Sequence, residues 1–142
     1  MEKVKVKKTE TKELKWHVID AKDKILGRLA VQVAKILMGK DKPEYVPYIA
    51  GGDGVIVINA GQVKVTGAKL SQKLYTYYSG YPDGLRKVTL GKMMENRPCE
   101  VIRHAVKGML PRNRLGSVMI SRLKVYADEK HKHEAQSPNE LK

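Results

Sequence analysis

One cysteine, one tryptophan and no phenylalanine occur in 142 residues. A lone Cys99 has no partner within the chain, so an internal disulfide is excluded and a reducing compartment is the simplest setting. Long apolar runs are missing too, and none approaches the ~18 residues that a membrane span needs. The stretch from Met1 to Lys15 lacks the hydrophobic segment of a secretion signal, and it carries glutamates but no arginine, unlike an organellar transit peptide. Acids are the scarcest of the charged groups, with 15 Asp+Glu against 28 Lys+Arg for a net charge of +13.

What is present is a chain of single-domain length whose 42% hydrophobic content can build a core without metal or disulfide staples. A domain this basic repels itself, so a polyanion is the expected partner. The charge is uneven. Residues 84–126 hold ten basic groups against only Glu95 and Glu100, whereas residues 127–142 are slightly acidic. The contact surface is expected in the basic segment.

Along the chain, residues 1–15 alternate lysine with small residues and read as a solvated basic arm. Residues 16–127 read as one α/β domain, and residues 128–142 as a polar tail. Trp16–Asp20 is a short strand by its alternation, and Asp20 or Asp23 is placed to cap the next helix. Leu26, Leu29, Ala30, Val33 and Leu37 fall at helical spacing, predicting a helix over 25–38 that Gly39 ends and Pro43 cannot extend. Val55–Ile58 is a continuous β-branched run, as in a strand buried on both faces of a parallel sheet. Val63 and Val65 suggest a second short strand, leaving 55–65 open between one bent strand and a hairpin. Residues 69–83 concentrate the tyrosines, and Arg86–Thr89 reads as a strand. Thr89 is placed to cap a short helix over 92–95. Pro98 starts a helix to Leu110, with Cys99, Ile102, Ala105, Val106 and Met109 turned inward and Glu100, Arg103 and Lys107 outward. A shorter helix over 115–123 and a strand over 124–126 close the domain.

Three chemistries find poor support in these residues. Gly51-Gly52-Asp53-Gly54 does not match a dinucleotide fingerprint and precedes a strand where a phosphate loop should follow one. Gly84 to Gly91-Lys92 has the wrong spacing, and Met93 stands where Ser or Thr is required. His131 and His133 sit in a polar tail with no cysteine pair nearby, and read as solvated. Cys99 belongs to an apolar stripe, where a thiol acts as a small hydrophobe; His104, at the edge of that stripe, reads as a packing or RNA-adjacent residue. An enzyme acting on nucleotides or nucleic acid is therefore the rival class, and a DNA-binding module a third.

Basic groups at turns remain. The run Lys107-Gly108-Met109-Leu110-Pro111-Arg112-Asn113-Arg114-Leu115-Gly116 puts three cations at a helix-to-helix corner that proline stiffens, with Met109 and Leu110 as expected core anchors. The lysine-flanked tyrosines admit two readings, stacking on unpaired bases or core packing with exposed hydroxyls.

The sequence resembles the bacterial form of the large-subunit ribosomal protein thirteen family. The resemblance rests on WHVIDA (16–21), LGRLA (26–30), GDGVIVIN (52–59), VKVTG (63–67), RHAVKGMLPRNR (103–114), LKVYA (123–127) and HEAQ (133–136), in family order from residue 16 to 138. It implies a three-layer α/β/α fold around a small, mainly parallel four-stranded sheet. It also implies a structural constituent of the large subunit in the cytoplasmic ribosome, no catalysis, no cofactor and no metal. The implied partners are large-subunit ribosomal RNA, bound with a part in early assembly, and neighbouring large-subunit proteins. By match to the family's basic corner, Lys107, Arg112 and Arg114 are the first candidates for RNA contact. Arg28, Lys69, Lys73 and Arg86 follow on exposed position and local charge.

Overall fold

The computed structural model describes residues 14–141. The basic arm expected over 1–15 therefore lies outside the described residues, Leu14 and Lys15 excepted. Strand β1 (Trp16–Asp20) leads into helix α1 (Leu26–Met38), and β2 (Gly54–Ile58) follows a loop. A small unit comes next, made of α2 (Lys69–Gln72), β3 (Leu74–Tyr78), β4 (Leu85–Thr89) and α3 (Leu90–Asn96). Helices α4 (Pro98–Met109) and α5 (Arg114–Ser121), then strands β5 (Leu123–Val125) and β6 (Asn139–Leu141), complete the chain.

The main sheet runs β5-β2-β1-β6 with every pairing parallel, so the α/β class is as expected. The β-branched run of β2 sits between β1 and β5 with Val55, Ile56 and Val57 fully buried. Ile19, Val55, Val57 and Leu123 share one face, where they pack with Leu29, Val33 and Leu37 of α1 and with Ile102 and Val106 of α4. Each such side chain contributes about 1.5–3 kcal/mol through burial. The chain steps from β1 to β2 to β5 in one direction, and right-handed crossovers then keep the connecting helices on one face. The return from β5 to the far edge at β6 belongs on the other face. There Trp16 lies over the Cα of Gly54 and stacks on His133 at 5.9 Å, with Tyr126 edge-on to the same histidine. The third layer is thus thin, a 3-10 turn (Glu134–Gln136) and its flanking chain.

Helix α1 ends as its sequence requires: Gly39 takes φ 75°, and the N–H groups of Gly39 and Lys40 donate to the carbonyls of Ile36 and Lys35. Its start differs from expectation. Neither Asp20 nor Asp23 caps it, because the Lys64 carbonyl accepts from the Leu26 N–H at 3.0 Å instead. Asp20 accepts from the Lys22 N–H and from Asn59, and Asp23 pairs with Lys64 at 2.7 Å. Residues 55–65 form neither a bent strand nor a hairpin. Asn59 at φ 57° turns the chain into a 3-10 turn (Ala60–Gln62), and only Lys64 returns to bridge Ile25. Thr89 precedes α3 without a side-chain cap bond.

Helix α4 buries Val101, Ile102 and Val106, while Met109 is 40% exposed and does not face the core as expected. Leu110 alone anchors the chain there. The residues from 128 onward are polar but carry structure: Asn139–Leu141 pairs with His17–Ile19 as the sheet's fourth strand. His131 and His133 are half-buried, not solvated as their sequence context suggested, because His133 is held between two aromatic rings.

Candidate nucleic-acid interface

The turn between α4 and α5 is built to hold its cations in place. Leu110 is 4% exposed and plugs the core. Pro111 stops α4, and the Asn113 side chain caps α5 by accepting the Gly116 N–H at 2.9 Å. A Cβ on Gly116 would overlap the Pro111 carbonyl oxygen, so glycine lets the turn fold down onto the helix. Arg112 and Arg114 flank the capping asparagine, and Lys107 stands in the last turn of α4. All three side chains are exposed, and among the described residues none has an ion-pair or hydrogen-bond partner. In the same basic segment Arg103 pairs with Glu100 at 2.8 Å, and Arg122 donates to the carbonyls of Ala50 and Gly52. Those two cations are occupied; the corner's are available to phosphates.

Lys69, Lys73 and Arg86 fall together on the small unit. Lys69 begins α2, Lys73 follows it, and Arg86 lies on β4 opposite Tyr77. The residue 69–83 stretch, read as a tyrosine-rich segment without assigned structure, contains β3, paired antiparallel with β4. Only Tyr75 of that strand is buried, edge-on to His104 at 5.0 Å, with the Lys73 ammonium 5.4 Å from its ring centre. Burial pushes the Tyr75 hydroxyl up from its ordinary pKa. Of the two readings for the tyrosines, core packing applies to Tyr75, but its hydroxyl is buried without a hydrogen-bond partner among the described residues and is not exposed as expected, whereas Tyr78 and Tyr81 are open to solvent.

Arg28 stands apart from both groups. It lines an open cleft of about 1150 Å³ beside α1 and β6, with Lys35, Lys42 and His17. Inside that cleft Asp53 is buried and holds Lys42 at 2.6 Å and His17 at 3.4 Å. The candidate cations thus form three groups instead of one.

Burial raises the Cys99 thiol above its usual pKa, so it is held in the protonated, unreactive form. No group of three or more His, Cys, Asp or Glu suited to a metal ion occurs among the described residues. No described helix is long and apolar enough to cross a membrane. Asn113 and Gly116 fall within the corner run read from sequence, which assigns them no role there, and Arg122 is not singled out by it at all. An asparagine directly before a helical run is a capping signal that could have revealed the first.

Residues 14–132 match the family model described as ribosomal protein L13. The chain belongs to the ribosomal protein L13 family. The large ribosomal subunit protein uL13 of Caldanaerobacter subterraneus subsp. tengcongensis is 60% identical over 129 residues, covering 91% of this chain and 90% of that protein. The uL13 of Thermoanaerobacter sp. is 58% identical over 134 residues, 94% of each chain. The uL13 of Thermotoga petrophila is 52% identical over 141 residues, 99% of this chain and 95% of its own, a match that takes in nearly all of the N-terminal arm. As a member of the L13 family the chain is a structural protein of the large ribosomal subunit and part of the translation machinery, not an enzyme. Bacterial members of the family belong to the cytoplasmic ribosome.

Proposed function

We propose that this chain binds large-subunit ribosomal RNA through the α4–α5 corner and in doing so supports early subunit assembly beside neighbouring large-subunit proteins. The observation that carries the reading is the set of unpaired cations Lys107, Arg112 and Arg114 on a capped, core-anchored turn. Such side chains displace counterions from RNA phosphates, and the rigid turn lowers the ordering cost of doing so. Arg28, Lys69, Lys73 and Arg86 add contacts from the cleft rim and the small unit, which lets one protein hold separate RNA segments together. The three-part organisation fits this role: the body of 16–127 carries the cations named here, the basic arm of 1–15 precedes it, and the polar tail of 128–142 returns to lend β6 to its sheet. A body with its own buried core has its binding surface formed before RNA arrives, as an early-assembling component requires.

Binding to large-subunit ribosomal RNA, measured as a function of salt, tests the mechanism. Log affinity should fall with log salt by about 0.7–0.9 per phosphate neutralised. Replacing Arg112→Ala together with Arg114→Ala should weaken binding and flatten that slope by about 1–2 while leaving the unfolding midpoint unchanged. An unchanged slope and affinity in the double variant would remove the corner from the interface.

A further inference from the structure

The β3–β4 hairpin has two unlike faces. Cross-strand partners share a face, so Tyr75, Tyr77, Arg86 and Val88 lie on one side, and Leu74, Thr76, Tyr78, Leu85, Lys87 and Thr89 on the other. The first side packs inward: Tyr75 meets His104 of α4, and the Tyr77 hydroxyl reaches the Met93 sulfur of α3 at 3.9 Å. Among the described residues nothing covers the second side. Leu74 is 50% exposed, Tyr78 69% and Leu85 52%, and at the tip Tyr81 reaches 75% beside Pro82. Isolated two-stranded hairpins are marginal in water, and an uncovered apolar face on one marks a contact surface.

Charge selects the occupant. Lys73, Arg86 and Lys87 have no acidic partner among the described residues, and Asp83 is the only acid from Lys69 to Gly91. An exposed ring, Tyr78, on the face that carries Lys87, with a second, Tyr81, at the tip, suits a ligand with alternating π-faces and phosphates. We propose that the outer face and tip of the β3–β4 hairpin bind unpaired RNA bases, with Tyr78 and Tyr81 as stacking surfaces and Lys87, on the same face as Tyr78, for the backbone. The proposal deepens the RNA-binding reading and rests on it: the corner takes phosphates of any RNA, whereas the hairpin demands bases released from a duplex. The hairpin thereby favours loops and bulges over continuous helix.

The full chain should be titrated with a mixed-sequence 12-nucleotide RNA, with the same strand annealed to its complement, and with large-subunit ribosomal RNA. The single strand should bind more tightly than the duplex. Tyr78→Ala with Tyr81→Ala should lower single-strand affinity about tenfold or more, while Tyr78→Phe with Tyr81→Phe stays within about twofold because the ring and not the hydroxyl stacks. Both positions are exposed, so thermal midpoints should match the parent in every variant. Equal affinity for single strand and duplex, or wild-type single-strand binding by the alanine pair, overturns the proposal. Should that happen while salt-dependent binding to ribosomal RNA still responds to Arg112 and Arg114, the hairpin proposal alone fails. Loss of that response as well would sink the RNA-binding reading beneath it.

Discussion

Two pairs of five-residue strands in this molecule are put to opposite uses. In the body, β1 and β2 are central strands of a parallel sheet, and β2 has no exposed residue. In the small unit, β3 buries only Tyr75 and β4 buries nothing. The body draws its stability from side chains that never meet solvent, so its surface is free to carry unpaired cations. The hairpin keeps one anchored face and gives its other face to solvent. Stability and contact are thus assigned to separate parts of one small chain, so changes in either should be separable by experiment.

The sharpest break of that comparison comes from the core. Ile19 is fully buried in β1 against α1 and α4, so Ile19→Ala should cost about 2–5 kcal/mol through lost burial and the cavity left behind. Urea unfolding would show it as a lowered midpoint. Leu85→Ala, on the open side of the hairpin, should stay within about 0.5 kcal/mol. A comparable loss at both sites would mean that the hairpin is as deeply integrated as the sheet. Next in size is Gly52, whose Cα lies against the end of α1. A Cβ there would overlap the Leu37 carbonyl oxygen, which is backbone and cannot swing aside. Gly52→Ala should therefore cost about 1–3 kcal/mol. Its neighbour Gly51 has open space at the same distance and serves as the control, with little change in thermal midpoint expected for Gly51→Ala.

The same contrast explains what could be read from residues alone. The body was legible because burial imposes period on sequence: the 3.6-residue stripe of α1, the unbroken β-branched run of β2 and the Gly39 stop all survive into the structure. The hairpin's β3 was not, since a strand with one buried residue leaves no alternation to detect. The tail's β6 hid for another reason. Asn139-Glu140-Leu141 is too short and too polar to announce itself, and its pairing with β1 joins residues more than a hundred positions apart. At the candidate interface, charge bias pointed to the cations, and the i, i+3 spacing of Glu100 and Arg103 made their pairing legible, but local sequence could not say that Arg122 was already engaged while Arg112 and Arg114 were not. That distinction depends on carbonyls from the loop before β2.

Between body and hairpin in consequence stands the corner, which needs fold stability to serve contact. Asn113→Ala removes the cap on α5 and leaves the Gly116 N–H without its acceptor, at a cost of about 0.5–2 kcal/mol. The cations themselves remain. If the corner works by being rigid, RNA affinity should drop in this variant although no charge is lost, and the salt slope should hold. An unchanged affinity at lowered stability would show that the arginines need only be present, not positioned.

The smallest expected effect lies at the end of β1 and depends on pH. Hydrogen bonds from the Asn59 amide and the Lys22 N–H hold the Asp20 carboxyl below its ordinary pKa, an effect that Lys24 and Lys22 reinforce by charge. The folded state therefore binds this proton less readily than the unfolded chain does. The resulting stability is fully present above the unfolded value of about 3.9 and is lost as pH falls through the lower, folded one. Asp20 is exposed, so solvent screening keeps the contribution small. Asp20→Asn removes the titration and leaves a neutral partner for both donors. The thermal midpoint of the parent should exceed that of the variant at pH 6, and the gap should be smaller at pH 3. The Asp23–Lys64 pair, whose carboxyl is also held low, is present in both proteins and differs only through the Asp20 charge, the smallest of the influences on Asp23. A gap of the same size at both pH values would mean that the charge on Asp20 does not tie β1 to the Asn59 turn, and that packing alone holds this end of the sheet.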